Sequence, residues 1–158
     1  MDVQIQNEQE FPANAVGLQK AAEVVLARHE KSNVGMTIVV TDNEAVATLN
    51  RRYRGIDAPT DVLSFPADAP PVTILDEPVY LGDLVIAFPY AAAQAEREGH
   101  PLDDSLCLLV VHGTLHLLGY DHDTPENKAD MWAEQEAILS ALHISPEIVP
   151  ALEGDPHV

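Results

Sequence analysis

The sequence predicts an α/β fold of the α+β kind: a single domain in which a mixed β-sheet is packed with helices. Three observations predict it. β-branched runs such as Met36–Thr41 (MTIVVT) alternate along the chain with stretches of helical periodicity. The 158 residues suit one domain that buries a core without disulfide staples. No internal repeat and no linker divides them.

The elements follow in order. Val3 and Ile5 alternate with polar residues, which reads as an opening strand. Pro12 suits a first helical turn, and Val16, Ala21, Val24, Val25 and Ala27 give the helix that runs to Lys31 its apolar stripe. After the MTIVVT strand, Asp42 caps a short helix through Leu49. A loop from Gly55 to Thr60 leads into a strand, Asp61 to Phe65. Residues 67–78 hold three prolines and little periodicity, the pattern of a surface loop. Tyr80–Phe88 is a further strand, Pro89–Glu98 a short helix, and Leu102–Leu118 a mostly apolar, buried helix. Thr124 caps a last helix to Leu142, with Pro125 in its first position. Residues 1–145 form the domain, and 146–158 an acidic, proline-containing, flexible tail.

Apolar content of 46% and charged content of 22% are ordinary for a globular protein. No segment has the basic start and apolar run of a signal peptide, and none is apolar over the length of a bilayer. The lone Cys107 forms no internal disulfide, which suits a reducing compartment. A cytoplasmic protein without membrane or DNA partners is the expectation. The net charge of −18 argues against wide nucleic-acid binding through a far field. Positive charge gathers locally at Arg51, Arg52 and Arg54. Arg51 and Arg52 read as a solvated helix end.

The run His112–Asp123 (HGTLHLLGYDHD) carries the chemistry. Four residues apart on a helix, His112 and His116 stand about 40° apart around the axis, so both imidazoles reach one ion. Gly119 favours the left-handed conformation that ends a helix. The reversal through Tyr120 and Asp121 brings His122 back as a third ligand. Three neutral histidines leave a fourth tetrahedral position open, as in catalytic zinc sites. Zinc is the best single choice, though nickel, copper and iron also suit nitrogen ligands. His29, His100, His143 and His157 lack such partners and read as surface residues.

The spacing H-x-x-x-H-x-x-G-x-x-H is also that of the metzincin proteases. Those enzymes carry a glutamate directly after the first histidine, as general base. Here that position is Gly113, which accepts no proton. Elsewhere, Arg54 stands just before a glycine and a loop, where a guanidinium can hold a phosphate oxygen.

The two segments together resemble the YbeY family, bacterial endoribonucleases of ribosomal RNA maturation. The signature H-G-x-L-H-L-x-G-Y-D-H is matched by His112, Gly113, Leu115, His116, Leu117, Gly119, Tyr120, Asp121 and His122. An upstream block is matched by Leu49, Asn50, Tyr53 and Arg54, then by Pro59–Pro66 (PTDVLSFP). Leu81, Gly82 and Asp83 match a third. The resemblance runs over about residues 1–145. The loop 67–78 and the acidic tail lie outside it.

The resemblance implies zincin-like helix packing and a zinc ion on the three histidines. It implies hydrolysis of single-stranded RNA, in trimming the 3′ end of 16S ribosomal RNA and in ribosome quality control. Its partners would be the small ribosomal subunit and assembly factors, and its functional arginine falls on Arg54. Asp121 reads either as a helper of the metal histidines or as a turn residue. Asp83 reads as support for its strand, and Thr60 and Ser64 as hydrogen-bond donors to substrate. Two other classes compete: a non-catalytic ribosome factor stabilised by zinc, and a hydrolase of another bond. The open ligand position favours an enzyme over the first, and Gly113 disfavours the protease form of the second.

Overall fold

Strand β1 (Asp2–Gln6) opens the chain, followed by α1 (Ala15–Arg28), β2 (Val34–Thr41), α2 (Asn43–Arg54), β3 (Val62–Pro66) and β4 (Val79–Ala87). Helices α3 (Phe88–Glu98), α4 (Leu102–Leu117) and α5 (Pro125–Ala141) complete it. The computed structural model describes residues 1–68 and 77–149. Most of the proline-rich loop expected at 67–78, and the tail from residue 150, lie outside the described residues.

The sheet is mixed, with strand order β1-β2-β4-β3. β1, β2 and β4 run parallel, and β3 lies antiparallel to β4 at the edge. Parallel neighbours need crossovers, and α1 and α2 belong to those connections. Helices cover both faces. Met36, Ile38, Val40, Val62, Leu84 and Ile86 join α1, α4 and α5 in the main core. On the other face, Leu63, Val85 and Ala87 pack against Val46 of α2. Alternate residues of β3 thus serve opposite layers, Val62 under α4 and Leu63 under α2.

Two helices differ from expectation. Pro12 lies outside α1: the Asn14 side chain accepts from the Gly17 N–H, and that cap starts the helix. Asp42 caps α2 as expected, accepting from the Ala45 N–H at 2.8 Å, but the helix runs on past Leu49 to Arg54. Asn, Arg and Tyr there do not stop a helix, and termination waits for Gly55 at φ +72°. At the far end, the described residues run on past Ser145 to residue 149. A short 3₁₀ turn follows, and Ile148 and Val149 pack into the main core.

Candidate metal centre

Helix α4 is buried along most of its length, with Leu106, Leu108, Leu109, Val110, Val111 and Leu115 in the core. Its last turns carry the site, held rigid by this burial. Gly113 allows α4 to lie close on the sheet. A Cβ there would stand 2.7 Å from Leu84 Cδ2 and 3.3 Å from Ser64 Oγ. Any side chain there would have to displace the buried Leu84, so the glutamate base of the metzincins is disfavoured at this position.

His112 is fully buried and His116 half-buried. Their Nε2 atoms face each other at 3.1 Å. Each Nδ1 is committed elsewhere. Gln135 Oε1 on α5 accepts from His112 Nδ1–H at 2.6 Å, and the Tyr120 carbonyl accepts from His116 Nδ1–H at 2.9 Å. Both acceptors lack a proton to give, so both rings are Nδ1–H tautomers with Nε2 lone pairs turned inward. Two nitrogens on one tetrahedral ion at 2.0–2.1 Å stand about 3.3 Å apart. The pair is therefore spaced for a shared cation.

The third ring arrives through a reversal. Gly119, at φ +103°, turns the chain after α4, and the Tyr120 N–H returns to Leu115 O at 3.0 Å. The Asp121 carboxylate accepts from the His122 N–H at 2.8 Å. Asp121 thus braces the turn. His122 then stands with its ring 5.4 Å from that of His112 and 5.2 Å from that of His116. One ligand atom from each of the three histidines lies within 4.8 Å of the others. Trp132 of α5 stands edge-on to His112 and His122, with centroids 5.9 and 5.6 Å away. The donor set, its tautomers and its spacing fit a divalent transition metal.

Outside the cluster, the expectations fare differently. Arg54 ends α2, in the layer across the sheet from α4, and its Nη1 donates to Asn50 Oδ1 at 3.5 Å. Its neighbour Tyr53 packs edge-on to Phe65 of β3 at 5.3 Å, and the adjacent Ser64 faces Gly113 of α4. Arg51 pairs loosely with Asp57 at 3.7 Å and Arg52 lies over the Tyr53 ring, as a solvated helix end should. Thr60 is only 1% exposed and its hydroxyl turns to Asp61, so it is no surface donor to substrate. Asp83 accepts from the Tyr80 hydroxyl, which also bonds Thr37 Oγ1 at 2.7 Å, a brace between strands. Burial pushes the Cys107 thiol up to about 11, helped by Asp103 and Asp104, so it stays protonated and is no rival nucleophile.

His29 corrects the surface reading. Its Nδ1–H donates to the Val25 carbonyl at 2.9 Å, and its Nε2 stands 3.1 Å from both the Tyr120 hydroxyl and Glu134 Oε1. Arg28 donates to the same carboxylate at 2.8 and 3.1 Å, and that bond holds Glu134 below the usual carboxylate range. The end of α1, the 119–122 turn and α5 are thereby joined.

The sequence model of the family described as Endoribonuclease YbeY matches residues 4–143 of this chain. The chain belongs to the YbeY family. An Endoribonuclease YbeY of Roseiflexus castenholzii is 43% identical over 155 residues, covering 93% of this chain and 95% of its own. One of Moorella thermoacetica is 42% identical over 155 residues, covering 90% and 97%. A Thermotoga maritima protein solved in solution shares the fold, with a TM-score of 0.57 and 23% identity over 98% of this chain and 97% of that one.

In this YbeY chain, sequence reasoning missed Gln135 and Trp132. A signal for Gln135 was present: it stands with Met131, Ile138 and Leu139 on the buried stripe of α5, where a polar residue needs a partner. Its neutral amide is the sort of outer partner that orients a metal histidine. Gln135→Leu is expected to weaken metal binding about 10- to 100-fold, measured by competition with a chelator of known affinity.

Proposed function

We propose that this chain is a zinc-dependent endoribonuclease that cuts single-stranded RNA. Its role would be to trim the 3′ end of small-subunit ribosomal RNA and to act in ribosome quality control, alongside the ribosome in the cytoplasm. The observation that carries this reading is the pair of inward-facing Nε2 atoms, 3.1 Å apart, with both Nδ1 protons fixed outward. Membership in a family whose curated relatives are named endoribonucleases supports it. No helix among the described residues is long and apolar enough to cross a membrane.

Bound at the three histidines, a zinc ion would supply a Lewis acid and bring the pKa of a coordinated water near neutrality. The residues of the chain do the rest. His112, His116 and His122 each present one ring nitrogen. Gln135 and the Tyr120 carbonyl keep the first two rings in the ligating tautomer. Arg54 is the cation assigned to stabilise the charge that builds on the phosphodiester oxygens in the transition state. Gly113 leaves peptide hydrolysis without its usual base.

The test uses purified, metal-defined protein with a single-stranded RNA and, separately, a peptide pool. RNA cleavage that tracks zinc content supports the reading; peptide cleavage alone, or none, overturns it. Arg54→Ala should keep its zinc and lose about 10²- to 10³-fold in kcat. Full activity in that variant would remove the arginine from the mechanism.

A further inference from the structure

Two groups fix the paired rings of the metal centre from outside, Gln135 for His112 and the Tyr120 carbonyl for His116. The elements that carry them meet at one residue, His29, the C-cap of α1. The Tyr120 hydroxyl lies 3.1 Å from His29 Nε2. Glu134, the residue before Gln135 on α5, brings its Oε1 to 3.1 Å from the same nitrogen.

His29 itself has firm support. Its helix buries Leu18, Ala21, Ala22, Val25 and Leu26 in the core. Its backbone N–H returns to Leu26 O at 3.2 Å, and its Nδ1–H donates to the Val25 carbonyl at 2.9 Å. A carbonyl only accepts, so Nδ1 carries a proton and Nε2 is left for the other two elements. Bare, Nε2 accepts from the Tyr120 O–H; protonated, it donates between that oxygen and the Glu134 carboxylate. The half-buried ring also stands edge-on to that of Tyr120, with centroids 5.6 Å apart. Arg28 binds both oxygens of Glu134, at 2.8 and 3.1 Å.

The turn that delivers His122 is tied to α4 by its backbone, through Gly119 N–H to His116 O and Tyr120 N–H to Leu115 O, each at 3.0 Å. The Tyr120 hydroxyl ties the same turn to α1, a second fixed body. A turn held at one end swings about that end; held at two, it does not. Ligands already in place bind an ion more tightly, because less freedom is lost when it arrives.

We propose that His29 is a positioning residue of the metal centre. It bonds to none of the three ligand rings. By holding Tyr120 and Glu134 it sets the turn that brings His122 and the two groups that orient His112 and His116. The proposal rests on the reading of the three histidines as a metal centre and extends that centre to α1.

The test is zinc affinity, measured on the full chain by competition with a chelator of known affinity. Tyr120→Phe removes the hydroxyl and keeps the ring and the carbonyl. His29→Ala removes the other partner. Circular dichroism of the metal-free proteins shows that each is folded before titration. Each single variant is expected to bind zinc about 2- to 30-fold more weakly, the range for residues that act on a site without touching its ligand. The double variant should lose no more than the weaker of the two, since both changes break one link. His29→Gln, whose amide still reaches the hydroxyl, should recover most of the loss. Unmoved zinc affinity in the folded single variants would overturn the proposal, whatever their stability, and leave the metal centre standing. Losses that simply add in the double variant would overturn it too. A wild-type chain that binds no zinc would bring down the metal reading itself, and this proposal with it.

Discussion

His116→Ala is expected to abolish stoichiometric zinc binding and to reduce RNA cleavage to background. The reason lies in how the ring is held. His116 Nδ1–H is tied to the Tyr120 carbonyl, so Nε2 is the only nitrogen it can offer, and that atom faces His112 Nε2. Removing the ring deletes one ligand of three and also frees the carbonyl that positions the turn leading to His122. Two remaining histidines make a weak site. The fold should survive, because His116 is half-buried and α4 is anchored by Leu106, Leu109 and Leu115. Metal content by atomic absorption, circular dichroism and cleavage of a labelled RNA check the three parts. Retained stoichiometric zinc would refute the ligand assignment.

Gly113→Glu is expected to destroy the fold and not to convert the site to a protease. The substituted Cβ would already stand 2.7 Å from the fully buried Leu84 and close to Ser64. The rest of the side chain would have to enter the interface between α4 and the sheet. Overpacking of this kind costs about 1–3 kcal/mol, and a carboxylate without a partner in the core adds several more. For a domain whose whole stability is about 5–15 kcal/mol, that is enough to unfold much of the population. Chemical denaturation shows the outcome. A variant that unfolds at the wild-type midpoint would mean that α4 and the sheet can separate at Gly113.

The part of this that the sequence carried was local. MTIVVT, the Asp42 and Thr124 caps and the apolar α4 are set by neighbouring residues, and each lies within a few positions of its expected bounds. The histidine cluster was legible for the same reason, since helix spacing and one turn glycine bring it together. Strand order was not. It depends on which strands share a crossover, and nothing local marks β3 as the antiparallel edge. Gln135 went unseen because its partner lies 23 residues away in sequence. His29 was misread for a like reason: its partners, Tyr120 and Glu134, come from the last third of the chain. Arg54 was expected just before a loop and beyond a helix ending at Leu49, but the helix continues until Gly55 ends it. The layer in which it lies depends on the whole sheet.

Tyr120 has two different attachments. Its carbonyl is bound by His116 and its hydroxyl lies against His29, at the end of the first helix. One residue thus ties the histidine cluster to an element more than ninety positions earlier in the chain. An ion held at the histidines is then a ligand of the folded state alone. Each tenfold rise in free metal above the dissociation constant would add about 1.4 kcal/mol to the stability of the domain. Starved of metal, the chain would be a softer protein as well as an inactive one, and an easier substrate for the cell's proteases.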